Sequence, residues 1–157
     1  MEVTPKDPKP KAILVVEDDS NDVLLFKRAL QKAGLFNPVF HAEDGDQAIH
    51  YVLGKGRFRD RNTFPLPAVV ILDLKLPRKS GLEFLSWLRS QPSTLRRLPV
   101  VILSSSRQQI DIDRCYDLGA NSYLVKPSQF ESLIETVRMV EVYWMQLNEG
   151  PEIRRET

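Results

Sequence analysis

Acidic, hydroxyl and basic side chains follow four short apolar segments of this chain, and their types suggest one kind of chemistry. Glu17 and Asp18 come directly after the first segment, and Asp73 comes after another. Ser104 and Lys126 follow two later segments. If these segments are parallel strands of one sheet, their carboxyl ends lie at the same edge, where such sheets bind ligands. The pattern therefore predicts that three carboxylates, a hydroxyl and an ammonium group meet at one place.

Three carboxylates at one place repel each other and require cations. Two carboxylates about 4 Å apart repel by about 4 kcal/mol at an effective dielectric constant of about 20, and Lys126 supplies only one positive charge. Oxygen ligands suit a hard cation such as Mg²⁺. A carboxylate beside Mg²⁺ and a lysine can act as a nucleophile toward a phosphoryl group, whose oxygens both cations then screen. The residues thus predict a magnesium-dependent site for phosphoryl chemistry.

Strands and helices alternate along the sequence. The unbroken apolar segments are typical of strands that are buried on both faces. Alternation of this kind indicates an α/β fold with parallel strands and right-handed crossovers. Ser80 with Glu83, and Ser128 with Glu131, have the spacing of helix capping boxes. Strands are predicted at 12–16, 39–42, 68–72, 99–103 and 122–125, and helices at 23–33, 46–53, 82–88, 110–118 and 129–148, with a long basic loop at 54–67.

Composition and charge argue against several classes of protein. The chain has 157 residues, a formal net charge of +1 and one cysteine, Cys115. A near-zero charge is unlike a nucleic-acid surface, and no apolar run approaches the roughly 20 residues of a membrane span. We expect a cytoplasmic protein without nucleic-acid or membrane contacts. We also expect a disordered leader at 1–11, one domain at 12–148, and a tail at 149–157 that is too short to be an output module.

Four sequence motifs resemble the receiver domains of two-component response regulators. They are ILVVEDD (13–19), VVILDLKLPRKSGLEFL (69–85), LPVVILSSS (98–106) and LGANSYLVKP (118–127), and they occur in family order. The resemblance covers about residues 12–148. It implies a flavodoxin-like, doubly wound sheet of five parallel strands in the order 2-1-3-4-5, with five helices.

The resemblance also implies a role for each residue that matches a motif. Asp73 would accept a phosphoryl group from a sensor histidine kinase, and Lys126 would contact the phosphate. Asp18 would bind Mg²⁺ directly and Glu17 through water, and the main-chain carbonyl of Lys75 would complete the protein's ligands. The lysine at position 75 departs from the asparagine that is frequent there in the family. Such a protein is a phosphoacceptor that catalyses only its own phosphorylation and slow dephosphorylation.

A second set of implied roles concerns the switch. Ser104 would be the hydroxyl that moves toward the phosphoryl group, in place of the more frequent threonine, and Tyr123 would be the aromatic residue that turns inward with it. Gly81 fits the family pattern, and Pro127 is the proline after the lysine, which is cis in many members. The long segment before the third strand, the phrase YDLGAN (116–121) and the stretch VEVYWMQL (140–147) are similar to the small response regulators of cyanobacterial phytochromes. A phytochrome kinase is therefore the expected partner.

The final predicted helix carries more apolar residues than one contact with a sheet requires. One apolar stripe is expected to face the core, and Met139, Val142 and Tyr143 fall outside it. Surplus apolar surface of this kind marks an interaction site, and we expect a homodimer through this helix. The core stripe consists of Phe130, Leu133, Ile134, Val137, Val140, Trp144 and Leu147.

Two other functions remain open from the residues alone. A pseudo-receiver would keep the fold without switching, and the lysine at position 75 leaves that reading open. A phosphohydrolase on a related sheet would also use an aspartate at a strand end, but it normally has an acid two residues later, where this chain has Lys75. Labelling of Asp73 by a small phosphodonor, and the turnover of that label, separates the three functions.

Overall fold

The strands form one parallel sheet, which orders the rest of the chain. The computed structural model describes residues 11–74 and 81–154. The sheet order is β2-β1-β3-β4-β5, with every neighbouring pair parallel, which confirms the predicted flavodoxin-like topology. The strands are β1 (Ile13–Val16), β2 (Val39–Ala42), β3 (Val69–Asp73), β4 (Val100–Ser104) and β5 (Ser122–Val125).

In the described residues, four α-helices connect the strands and a fifth follows β5, and together they cover both faces of the sheet, as predicted. Most element ends lie within one or two residues of the predicted ones, which is the usual uncertainty of such boundaries. Two of the small differences affect the site, because Asp73 and Ser104 are the last residues of their strands rather than the first residues after them. The helices are α1 (Ser20–Lys32), α2 (Gly45–Leu53), α3 (Gly81–Arg89), α4 (Gln109–Asp117) and α5 (Phe130–Glu141).

Alternate residues of the central strands enter two separate hydrophobic cores. Leu14, Leu72 and Ile102 pack with α2 and α3 on one face, and Ile13 and Ile71 pack with α1 and α5 on the other. All residues of β1, β3 and β4 are buried. The prediction that these apolar runs are buried on both faces is therefore confirmed, and the two cores hold the strand ends in fixed positions.

The capping prediction for the last α-helix was wrong. Gln129, not Ser128, is the N-cap of α5, and no side chain makes a capping hydrogen bond there. The helix begins one residue later than a Ser128–Glu131 capping box requires. Ser80, the first residue of the other predicted capping box, lies outside the described residues.

The predicted long final helix changes its geometry near its middle. α5 ends at Glu141, and a π-helical segment continues from Val142 to Leu147. A π-helix bonds residue i to residue i+5 instead of i+4, so it shifts the buried face by about one residue per turn. Met145 is consequently buried, while Leu147, which we predicted in the core stripe, is 68% exposed.

The three predicted interface residues differ in exposure because of this change. Met139 is 69% exposed and Tyr143 is 51% exposed. Val142 is half-buried, so it exposes less apolar surface than predicted. The surplus apolar surface of this helix therefore consists mainly of Met139, Tyr143 and Leu147.

Two further segments outside the α-helices and strands contact the rest of the fold. The basic segment before β3 contains a 3-10 turn, Gly56–Phe58, and its Phe58 and Phe64 pack against Tyr51. The segment after the π-helix packs near a second 3-10 turn, Thr94–Arg97, where the main-chain N–H of Arg154 donates to the hydroxyl of Thr94 at 2.7 Å.

Within the residues that the structure describes, no helix is both long and apolar enough to cross a membrane.

Candidate functional site

Three of the predicted site residues meet at the carboxyl ends of β3, β4 and β5. Asp73 is paired with Leu103, which directly precedes Ser104. The main-chain N–H of Lys126 donates to the carbonyl oxygen of Ser104 at 2.7 Å. Because this hydrogen bond extends the ladder between β4 and β5, the lysine leaves the sheet directly beside Ser104. Asp73 and Ser104 are both buried, at 4% and 5% exposure.

The ammonium group of Lys126 contacts three carboxylates. Its Nζ lies 2.6 Å from Oδ2 of Asp22, 3.2 Å from Oδ2 of Asp73 and 3.5 Å from Oε2 of Glu17. Burial by itself lowers the pKa of Lys126, but the hydrogen bond to Asp22 and the charges of Asp73 and Glu17 outweigh burial and raise the pKa above its ordinary value of 10.5. Lys126 is therefore cationic throughout the physiological pH range.

The pKa of the buried Glu17 carboxyl group is strongly raised at this site. Burial raises its pKa well above the ordinary value of 4.5, and a hydrogen bond with Asp73 and the negative charge of Asp73 raise it further. The N–H of Asp19 donates to Oε1 of Glu17 at 3.2 Å and opposes this shift. Lys126 is near, but its charge is shared with two closer carboxylates, and the net pKa of Glu17 stays raised.

The carboxylates lie close enough to share one cation. Among the described residues, Glu17, Asp22 and Asp73 each offer an oxygen within 4.8 Å of the others. These hard oxygen donors, three acids against one ammonium group, fit a divalent cation such as Mg²⁺ or Mn²⁺. The raised pKa of Glu17 indicates that, without such a cation, the cluster holds a proton in its place.

Two predicted metal ligands, Asp18 and Lys75, are not among the three acids that lie close together. Asp18 is exposed and is not one of the three acids that share this space, although its side chain forms a hydrogen bond with Glu17 at the edge of the group. Its role as a direct ligand stays a prediction. Lys75, whose main-chain carbonyl was predicted to bind the metal, lies outside the described residues.

Asp22 was not predicted as a site residue. It lies in the first turn of α1, where an acidic residue is favourable for the helix dipole whether or not it takes part in a site. Asp19 caps this helix by accepting a hydrogen bond from the N–H of Asn21 at 2.9 Å, which fixes how the first turn faces the sheet edge. One signal in the sequence could have pointed to it, namely an acidic residue one helical turn after the acidic loop, but sequence alone does not show which way that turn faces.

Ser104 and Tyr123 are linked through Ser106. The N–H of Ser106 donates to the hydroxyl of Ser104 at 3.2 Å, and the hydroxyl of Tyr123 donates to the carbonyl of Ser106 at 2.8 Å. The Ser106 hydroxyl donates to Asp111 in the first turn of α4 at 2.5 Å. Ser106 therefore connects the two residues of the predicted switch pair with each other and with α4. Pro127 follows Lys126 through a trans bond, since no described peptide bond is cis.

An apolar cavity opens beside the acid cluster. Its volume is about 260 Å³, and it lies between α1, the sheet and the start of α5. Leu25, Phe26 and Phe130 line it together with Asp73 and Lys126. A substrate group could thus approach Asp73 from this side.

Comparisons with known proteins agree with this geometry. Residues 13–138 match the family described as "Response regulator receiver domain". The probable methanogenesis regulatory protein FilR2 of Methanothrix harundinacea is 37% identical over 142 residues, which cover 90% of this chain and 88% of that protein. Response regulator Rcp1 of Synechocystis sp. is 32% identical over 137 residues, which cover 87% of this chain and 90% of Rcp1.

Solved structures give the same result. The response regulator RPA3017, from red light signaling of R. palustris, superposes with a TM-score of 0.86 at 34% identity and covers 90% of this chain and 99% of its own. The phosphorylated cyanobacterial phytochrome response regulator RcpA has a TM-score of 0.81 at 34% identity, with coverage of 91% and 99%. The Mn²⁺-bound form of Rcp1 has a TM-score of 0.78 at 31% identity, with coverage of 91% and 100%.

The fold, the acid cluster with its lysine, and these matches define the class of protein. This chain belongs to the response-regulator receiver domains of two-component signalling systems. Its relatives include the response regulators of cyanobacterial phytochromes and bacteriophytochromes.

Proposed function

We propose that this protein is a single-domain response regulator whose Asp73 accepts a phosphoryl group from a sensor histidine kinase. The main support is the position of Asp73: its carboxylate is buried at the end of β3 and lies 3.2 Å from the ammonium group of Lys126. Such a carboxylate is held in place and kept available as a nucleophile. The relatives FilR2 and Rcp1 are covered over 88% and 90% of their own lengths, which supports a single-domain protein.

In the proposed reaction, an oxygen of Asp73 attacks the phosphorus atom of a phosphohistidine. The new O–P bond forms as the P–N bond breaks, and the electron pair of that bond returns to the imidazole. Lys126 contacts the transferred phosphoryl oxygens, and the hydroxyl of Ser104 donates a hydrogen bond to one of them. Glu17, Asp73, Asp18 and the main-chain carbonyl of Lys75 would hold Mg²⁺, which would supply the remaining positive charge.

The proposed kinase is a phytochrome. The similarity to RcpA and to RPA3017, whose descriptions refer to phytochrome and red light signaling, supports this choice. In this proposal the protein works in the cytoplasm, and it catalyses only its own phosphorylation and slow dephosphorylation. A purified phytochrome kinase from the same source should transfer its phosphoryl group to this protein faster than unrelated sensor kinases do, and equal transfer from all kinases would contradict the pairing.

Labelling by acetyl phosphate tests the phosphoacceptor. The wild-type protein should gain one phosphoryl group per chain with Mg²⁺ and none with EDTA, as measured by intact-protein mass spectrometry and peptide mapping. Asp73→Asn should remove the label, because the amide is not a nucleophile, and Asp18→Ala should weaken it if Asp18 binds the cation.

The outcomes of this experiment separate the three candidate functions. Absence of label on the wild type, under conditions that label another receiver domain, indicates a pseudo-receiver. Rapid consumption of acetyl phosphate over many turnovers indicates a phosphohydrolase. Wild-type labelling of the Asp73→Asn protein refutes the assignment of Asp73.

We further propose that phosphorylation changes the surface of α4, β5 and α5. If the hydroxyl of Ser104 turns to a phosphoryl oxygen, the N–H of Ser106 loses its acceptor. Because Ser106 also accepts the hydroxyl of Tyr123 and donates to Asp111, its movement reaches β5 and α4 together. The reading of Ser104 and Tyr123 as a switch pair rests on these contacts.

A homodimer through the end of α5 and the π-helix is also part of the proposal. Met139 and Tyr143 are exposed large apolar side chains on neighbouring turns. Both also border a shallow depression between β5 and this helix, with Leu124 and Trp144. Two-fold pairing would bury this surface against its own copy, which is the commonest arrangement of soluble homo-oligomers.

A further inference from the structure

Asp22 makes the closest contact that any carboxylate makes with Lys126 in the described site. The distance from Nζ to Oδ2 of Asp22 is 2.6 Å, against 3.2 Å to Asp73. The Asp22 side chain is 32% exposed and that of Lys126 is 20% exposed, so water screens their attraction only in part. The ammonium group therefore points mainly to α1 and only secondarily to the proposed phosphoacceptor.

A phosphoryl group on Asp73 would compete with Asp22 for this lysine. It brings about −1.5 to −2 charge and three strong acceptor oxygens. Lys126 carries one positive charge on a flexible side chain, and Asp22 and the phosphoryl group would share that charge. Because the phosphoryl group carries the larger negative charge, we expect the ammonium group to shift toward it and the contact with Asp22 to weaken.

We propose that Asp22 is a positioning residue that holds Lys126 in the unphosphorylated protein, and that phosphorylation of Asp73 moves Lys126 from Asp22 to the phosphoryl oxygens. The proposal rests on the proposed function of Asp73. Asp22 then sets how readily the phosphoryl group is accepted, because the ammonium group shifts away from Asp22 when it binds the phosphoryl oxygens. The strength of the Asp22–Lys126 pair tunes the balance between the two states.

A cycle of four proteins tests whether Asp22 acts through Lys126. They are the wild type, Asp22→Asn, Lys126→Met and the double variant, each assayed at saturating Mg²⁺ for the initial rate of labelling by acetyl phosphate and for the affinity of beryllofluoride. Asp22→Asn alone should label about fivefold faster and bind beryllofluoride about fivefold more tightly, which is the upper range for a partly exposed ion pair. In the Lys126→Met background the same substitution should change neither quantity by more than about twofold.

Glu131→Gln is the matched control, because it also removes one carboxylate from the first turn of a helix that borders the site. It should leave both quantities unchanged. An equal effect of Asp22→Asn with and without Lys126 would overturn the proposal, since Asp22 would then act by its own charge or as a ligand of the cation. Slower labelling of Asp22→Asn in the presence of Lys126 would also overturn it.

A second measurement follows the lysine itself and needs no phosphoryl transfer. The ¹⁵N NMR signal of the Lys126 ammonium group, assigned by its loss in Lys126→Met, should shift in Asp22→Asn and should shift in the wild type when beryllofluoride is added. A Lys126 signal that is the same in the wild type and in Asp22→Asn would refute the contact. Failure of the proposed function is a separate result, because then the wild type and Asp73→Asn are labelled alike.

Discussion

Replacing Glu17 by glutamine should stabilise the metal-free protein at alkaline pH, although it removes an acid of the site. Glu17 is 5% exposed, and its carboxyl group lies within 4.8 Å of those of Asp22 and Asp73. Two charges at that separation repel by about 3 kcal/mol at an effective dielectric constant of about 20. Lys126, at 3.5 Å, offsets part of this repulsion but is shared with the other two acids. We expect Glu17→Gln to raise the free energy of unfolding by about 1–2 kcal/mol.

The gain should depend on pH, and its sign follows from the pKa of Glu17. Burial and the neighbouring Asp73 raise this pKa in the folded protein above the value of 4.5 expected in the unfolded chain. The folded state then binds the proton more tightly, so Glu17 costs no stability below pH 4.5 and costs progressively more as the pH rises toward the folded pKa. Glutamine cannot ionise. Its advantage should therefore be small near pH 4.5 and should grow with pH until it levels off above the folded pKa of about 9, so that most of it is present at about pH 8.

Urea unfolding, followed by circular dichroism at both pH values in EDTA and in Mg²⁺, measures this effect. Mg²⁺ should stabilise the wild type more than the variant, because the cation binds the folded acid cluster and glutamine is the weaker ligand. Glu141→Gln is the control. Glu141 is equally buried at 5%, but its carboxylate accepts hydrogen bonds from Gln146 and is not surrounded by other acids in the described structure. A loss of stability for Glu17→Gln in EDTA at about pH 8, or a gain that is the same at both pH values, would refute this reasoning.

Three further predictions concern the switch, the dimer interface and the stability of the fold. Ser104→Ala should still be labelled at Asp73, but hydrogen exchange in α4 and β5 should no longer respond to beryllofluoride; an unchanged response would mean that the switch uses another route. Met139→Glu with Tyr143→Glu should convert a dimer to a monomer in sedimentation equilibrium with labelling intact, and a monomeric wild type at micromolar concentration, with and without phosphodonor, contradicts the dimer. Arg89→Ala should lower the unfolding free energy by about 3 kcal/mol, because its guanidinium group donates to three main-chain carbonyls and a side-chain amide at 2.8 Å each. Replacing the exposed Arg138, which is paired with Glu135, by alanine should lower the unfolding free energy by less than about 0.5 kcal/mol in the same urea assay.

The convergence of Asp73, Ser104 and Lys126 was predictable because it depends only on strand order and direction. Each residue ends or directly follows a strand, and parallel strands deliver such residues to one edge. Asp22 lacked this advantage. Its partner Lys126 is 104 positions away in the chain, and the contact depends on how the first turn of α1 is rotated against the sheet. Apolar periodicity shows which broad face of a helix meets the core, but it does not determine the rotation closely enough to predict a single polar contact.

The misplaced end of the final helix has a different cause. The apolar stripe was extrapolated at the α-helical period, which holds up to Val140. Beyond Glu141 the backbone takes the wider π-helical turn, and Met145 replaces Leu147 in the core. This stretch contains no glycine or proline, the residues from which a change of helix geometry could have been predicted. Tertiary packing decided the geometry there, and local sequence preferences did not.

The packing of the sheet suggests why a change at Asp73 should reach α4 and β5 and not the rest of the molecule. β3 and β4 are buried along their whole length, whereas every residue of the edge strand β5 is only half-buried. On the helices, α3 buries Gly81, Phe84, Leu85 and Leu88, and α4 buries Cys115 alone. Moving a weakly packed element costs less free energy than moving a core element. A shift of Ser104 toward a phosphoryl group therefore meets the least resistance through Ser106 and Tyr123, on the side of the sheet where the proposed interface lies.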